Sequence, residues 1–99
     1  MLHHVVFITL KRGTPDAQVD AMLAGFASLP GAISQIRSYD FGRDAGLSPS
    51  DVDVLLVATF DSVEEFTAYR EHPAHVTFVH DLLEPICTDR TSAQLLTQS

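Results

Sequence analysis

The sequence predicts an α+β fold: a ferredoxin-like βαββαβ chain whose four strands form one antiparallel sheet, with both helical regions on one side. Three observations lead there. Residues 3–10 and 52–60 are rich in Val, Ile, Leu and Phe and read as strands. Two other stretches space their apolar residues by three and four, the helical interval. The segments succeed one another in the order that sets four antiparallel strands against one helical layer.

In the first strand, residues 3–10, His4, Val6, Ile8 and Leu10 share one face, and His3, Val5, Phe7 and Thr9 the other. Thr14-Pro15-Asp16 reads as a helix start, with Thr14 as N-cap, Pro15 at the first helical position and Asp16 near the positive end of the dipole. Val19, Met22, Leu23 and Phe26 continue it, and Pro30-Gly31 is expected to end it. Residues 33–41 form the expected second strand, and 42–50, rich in Gly, Ser and Asp, a loop. In the third strand, 52–60, Val52, Val54, Leu56, Ala58 and Phe60 line one face without a polar interruption. Ser62-Val63-Glu64-Glu65 matches the S-x-x-E capping box and opens a short helix carrying Phe66 and Tyr69. The helical region breaks at His72-Pro73. Pro73 then starts a second piece whose stripe is Val76, Val79, Leu82 and Leu83, ending near Pro85. Residues 86–96 supply the fourth strand.

A sheet covered on one side leaves the other bare. Val5, Phe7, Leu55 and Val57 fall on that bare face, and an apolar patch of this kind marks a partner surface. Two copies packed sheet to sheet would bury it, so a homodimer is expected.

With 99 residues the chain is read as a single domain spanning 1–99. Such a domain buries only about two-thirds of the surface its unfolded chain exposes, so a shared interface would help it. Thirteen acidic against six scattered basic side chains give a net charge of −7, which argues against nucleic acid and against an anionic membrane surface as partners. The single cysteine, Cys87, forms no intrachain disulfide. No apolar run approaches the roughly 20 residues of a membrane span, and the apolar N-terminus is too short for a secretion signal. The cytoplasm is the expected compartment. No Gly-rich phosphate loop or nucleophile elbow occurs, and no cofactor is expected.

The segment Tyr69-Arg70-Glu71-His72-Pro73-Ala74-His75 carries a Y-x-x-H-P-x-H signature, with His4-Val5-Val6-Phe7 before it and Ser38-Tyr39-Asp40-Phe41-Gly42 between. On these residues the chain resembles the stress-responsive dimeric α/β-barrel (Dabb) proteins over nearly its whole length. The resemblance implies a dimeric barrel, each subunit holding a pocket between sheet and helices. Plant polyketide cyclases of that fold close a linear polyketide by an aldol step without cofactor. Their pocket uses a histidine base beside a tyrosine and a first-strand histidine, which match His75, Tyr69 and His4. A further cyclase histidine falls where this chain has Val54, and the stretch 33–50 is longer here.

The residues themselves support a pocket. His75 lies one turn before Phe78 and Val79, Tyr69 shares a stripe with Phe66, and His4 shares its strand face with Val6 and Ile8. Three proton-handling side chains thus converge in an apolar space walled by Val6, Ile8, Val54, Leu56, Phe66, His72 and Phe78, as small-molecule sites require. Burial would keep His75 neutral and able to accept a proton from a carbon flanked by carbonyls, with Tyr69 supporting the enolate oxygen. Each residue also has a plain structural reading: His72 as a cap for the following helix, His75 as a hydrogen-bonded strut at the helix break, His4 as a satisfied wall residue. His72 and His75 at i, i+3, with His4 as a third, could supply zinc ligands, but zinc needs three or four with outer support. Pro73 breaks the helix between the two histidines and the only cysteine is distant in sequence, so no metal is expected. The expected function is binding of a small hydrophobic or aromatic molecule. The alternatives are a cofactor-independent cyclase or isomerase with His75 as base, and an assembly module without a ligand.

Overall fold

The computed structural model describes residues 1–98. The strands are β1 (Leu2–Leu10), β2 (Ser38–Arg43), β3 (Val54–Phe60) and β4 (Cys87–Leu96). The helices are α1 (Asp16–Ala32), α2 (Val63–Glu71) and α3 (Pro73–Phe78), and α3 runs on through a π-helical turn, Val79–Leu83, and a 3-10 turn, Glu84–Ile86. The order is βαββαβ with a divided second helical region, and the sheet is antiparallel in the order β2-β3-β1-β4. This is the ferredoxin-like arrangement the sequence predicts.

The strand parity read from sequence organises the core. Val6 faces Leu56 and Ile8 faces Val54 across the β1–β3 ladder, and all four are buried with Ala58 and Phe60. From α1, Met22, Phe26 and Leu29 pack onto this surface, followed by Phe66, Tyr69, Phe78 and Leu83 from the second helical region. On the other face Val5 pairs with Val57 and Phe7 with Leu55; Phe7 remains 39% and Val57 41% exposed.

Several boundaries differ from expectation. Thr14 is not the N-cap. Pro15 holds that position, and the Thr14 hydroxyl instead donates to the Lys11 carbonyl, closing a tight turn through Gly13 at φ +77°. Pro30-Gly31 does not end α1. The last turn survives the missing N–H because Leu29 and Ile33 are both buried and anchor it to the sheet, so packing overrides propensity. Ile33 therefore ends a helix rather than starting a strand, and β2 begins only at Ser38. Ser62 caps α2 as expected, accepting from the Glu65 N–H at 3.2 Å.

Candidate functional site

The break between α2 and α3 is built by two histidines. The His72 Nδ1 accepts the Ala74 N–H at 3.0 Å and so caps α3. One turn on, the His75 Nδ1 donates to the Arg70 carbonyl at 3.1 Å, tying the start of α3 to the end of α2. That bond fixes the tautomer: the proton is on Nδ1, and Nε2 keeps a free lone pair.

A cavity of about 440 Å³ opens between these helices and the β1–β4 half of the sheet. Its apolar wall includes Val6, Leu56, Phe66, Phe78, Val79 and Leu83. The β4 side is polar. Arg90, Ser92 and Gln94 lie opposite Ile8, Val6 and His4 in the ladder and share their face. Ser92 and Gln94 are solvent-exposed, so the cavity is open beside this edge strand.

Of the residues picked from sequence, His4, Tyr69, His75, Val6, Leu56, Phe66 and Phe78 all line this cavity. Three others do not. Ile8 and Val54 are 0% exposed and pair with each other deeper in the core, further along the strands. His72 is turned into its own helix cap.

His4 is 7% exposed and packs against the Phe66 ring at 4.7 Å, with the edge of Tyr69 at 6.2 Å. The Gln94 side-chain amide donates to its Nδ1 at 3.0 Å, which leaves the His4 proton on Nε2. Burial, then the charges of His75 and Arg70, pull His4 down to about 4. His75 is lowered too: burial is the main cause, the Arg70 carbonyl acts against it, and Arg90, Arg70 and His72 add to it. Both imidazoles are neutral at pH 7.

The Tyr69 ring lies 4.4 Å from that of His75, and its hydroxyl meets the Tyr39 hydroxyl at 2.7 Å. Burial pushes Tyr69 up to about 12 and raises Tyr39 further, the Tyr39 bond working in favour of the Tyr69 phenolate. Both phenols are thus neutral, and the Tyr69 hydroxyl is hydrogen-bonded to that of Tyr39. Tyr39 was missed as a site residue, although its alternation with Phe41 on β2 put it on the inner face. Arg70 and the β4 residues were missed for another reason: polar side chains on a short helix and an edge strand carry no periodic signal.

The geometry offers a hydrogen-bond acceptor at His75, donors at His4 and Tyr69, and apolar walls. Such a set can bind a compact organic molecule and move a proton to or from it.

Residues 2–95 match the family model of the stress responsive A/B barrel domain. The stress-response A/B barrel domain-containing protein HS1 of Arabidopsis thaliana is 27% identical over 77 residues, covering 76% of this chain and 71% of that protein. A dimeric ferredoxin-like protein of unknown function from Thermobifida fusca superposes with a TM-score of 0.87 at 28% identity, covering 97% of this chain and 90% of the other. The hydroxynitrile lyase of Passiflora edulis shares the fold, with a TM-score of 0.87 at 21% identity over 98% of this chain and 93% of its own.

Proposed function

The chain belongs to the stress-responsive A/B barrel domain family, and from that premise we propose that it works as a homodimer binding a small, largely apolar or aromatic molecule in the cavity beside His75. One observation carries this reading. A cavity of about 440 Å³ falls within the size range of small-molecule sites, and its apolar walls carry a few convergent polar groups, the neutral His4, Tyr69 and His75 at the inner end and Arg70 and Arg90 among the exposed lining. A chain needing only a packed core would fill that space. The dimer reading rests on the half-exposed Val5, Phe7, Leu55 and Val57 face and on the dimeric Thermobifida relative.

A second reading, catalysis without a cofactor, is favoured by the His75 tautomer. With Nδ1–H held by the Arg70 carbonyl, Nε2 can remove a proton from a carbon flanked by carbonyls. Tyr69, backed by Tyr39, would hydrogen-bond the developing enolate oxygen. That describes a cyclase or isomerase.

The test is a thermal-shift screen against aromatic acids, lactones and acyl chains, repeated on Ser92→Trp, which fills the cavity from an exposed strand position. A ligand at about 100 times its dissociation constant adds roughly 2.7 kcal/mol, a shift of ten degrees or more in a domain this small. A stabilising ligand that loses its effect in Ser92→Trp supports the binding reading. Shifts that persist in that variant, or none across the screen, overturn it. If turnover of a bound compound survives His75→Ala in an intact dimer, the catalytic reading fails.

A further inference from the structure

The chain has six basic side chains against thirteen acidic ones, and their placement is uneven. Arg37 is paired with Asp61 at 2.6 Å. Lys11, Arg12 and Arg43 share a cleft near the C-terminal end of β1 with five aspartates, and Arg43 approaches Asp16 and Asp20 at 3.9 Å. The remaining two, Arg70 and Arg90, both line the cavity. Among the described residues, neither has a carboxylate within 4.0 Å.

In a chain of net charge −7, two guanidinium groups left without carboxylate partners at one opening form a local reversal of sign. They come from different elements, Arg70 from the last turn of α2 and Arg90 from β4, so the convergence is tertiary. Arg70 is also oriented: its guanidinium carbon lies 5.5 Å from the centre of the Phe66 ring, a cavity wall residue. Both arginines act on the same inner group, since His75, lowered chiefly by burial, is lowered further by each. One carboxylate, Glu84, is on the wall, at the far end of the π turn.

We propose that the ligand is an organic acid: an apolar or aromatic body seated against Phe66 and Phe78, with a single carboxylate held at the opening by Arg70 and Arg90. This deepens the binding reading and rests on it. The planar guanidinium fork matches a carboxylate in a way that an ammonium does not, and charge-assisted bonds of this kind are about twice as strong as neutral ones. Glu84 opposes the anion and sets its orientation, with the acid group toward the two arginines.

The experiment compares para-butylbenzoate with para-butylbenzamide, which has the same body and no charge, by titration calorimetry. The proteins are the full-length wild type and the Arg70→Gln/Arg90→Gln, Glu84→Gln and Ser92→Trp variants. In the wild type the acid is expected to bind roughly tenfold or more tightly than the amide. The preference should shrink at roughly 0.5 M salt, because the arginines are exposed. The double variant is expected to bind both compounds alike, and Glu84→Gln to favour the acid further. Gln at position 70 keeps the backbone carbonyl that holds His75, so loss of preference cannot come from losing that bond. Equal binding of acid and amide by the wild type overturns this inference and leaves the cavity reading standing. An acid preference that persists in the double variant, or in Ser92→Trp, overturns it as well. If neither compound binds, both readings fail for aromatic ligands of this size.

Discussion

Gly25→Ala tests how closely the helices pack over the cavity. In an isolated helix the change would stabilise by about 1 kcal/mol, because alanine is the better helix former. Here a Cβ at position 25 would stand 2.5 Å from two ring carbons of Phe78 and 2.8 Å from a Leu82 methyl. Ordinary carbon–carbon separation starts near 3.5 Å, so the Phe78 ring must retreat by about 1 Å. The Leu82 methyl can swing away, but the ring cannot do so freely: Phe78 is 5% exposed and packed on Phe26 at 4.6 Å between centroids. Overpacking of this kind costs about 1–3 kcal/mol, which offsets the helix gain of about 1 kcal/mol and leaves a net loss of up to about 2 kcal/mol. In a domain of this size that lowers Tm by up to roughly 15 °C. Since Phe78 is also a cavity wall, the retreating ring should weaken binding of any cavity ligand. The assay is urea unfolding of wild type, Gly25→Ala, Phe78→Leu and the double variant. The smaller side chain should absorb part of the cost, so the double variant should be more stable than the two single losses summed. If Gly25→Ala alone is more stable than wild type, the close approach of α1 and α3 is not as described, and the reasoning fails.

The pH dependence follows from His4. Its folded value near 4, against an ordinary 6.5, means the unfolded chain binds a proton that the fold rejects. That contribution is complete above about pH 6.5 and is lost as pH falls toward 4, on the order of 2 kcal/mol once solvent access through the open cavity is allowed for. Urea midpoints at several pH values should show a shallower acid slope in His4→Gln, and an unchanged slope would sink the assignment. Tyr39→Phe leaves the hydroxyl of Tyr69, a residue 1% exposed, without its 2.7 Å partner, for a loss of about 1–3 kcal/mol. Adding Tyr69→Phe should recover part of that loss, and strictly additive effects would show that the two hydroxyls are uncoupled. Val57→Lys places a charge in the half-exposed sheet face and should give monomers by sedimentation velocity, while Val63→Lys, on α2, should not. A dimer unaffected by Val57→Lys would move the interface elsewhere.

The fold was legible because its strongest signals are local. The clean alternation from Val54 to Phe60 and the Ser62 capping box survive whatever packs on them. The second strand misled because Ile33, apolar in a sequence of alternating residues, owes its burial to the end of α1 rather than to a sheet. At the cavity, the inner-face residues of β1 and the aromatic stripe of α2 could be read from spacing. Depth could not. Ile8 and Val54 share a face with His4 and Val6, and only the tertiary arrangement decides which of them the cavity reaches. The polar wall of Arg90, Ser92 and Gln94 was invisible for a related reason: β4 has no apolar alternation, and only its register against β1 assigns those side chains to the cavity.

That register has a temporal consequence. Gln94 and His4 are hydrogen-bonded across ninety positions of sequence, and β1, central in the sheet, takes β4 as its last neighbour. Loops of such length close slowly compared with helices and hairpins. The helix break with His72 and His75 can form early from local bonds, as can the β2–β3 pairing. The polar wall can join only after the far end of the chain has found the near one. Without β4 docked, His72 and His75 would still hold the helix break, but His4 would lack its Gln94 partner and the cavity would be an open-sided groove, so the site is complete only when the two ends of the chain have met.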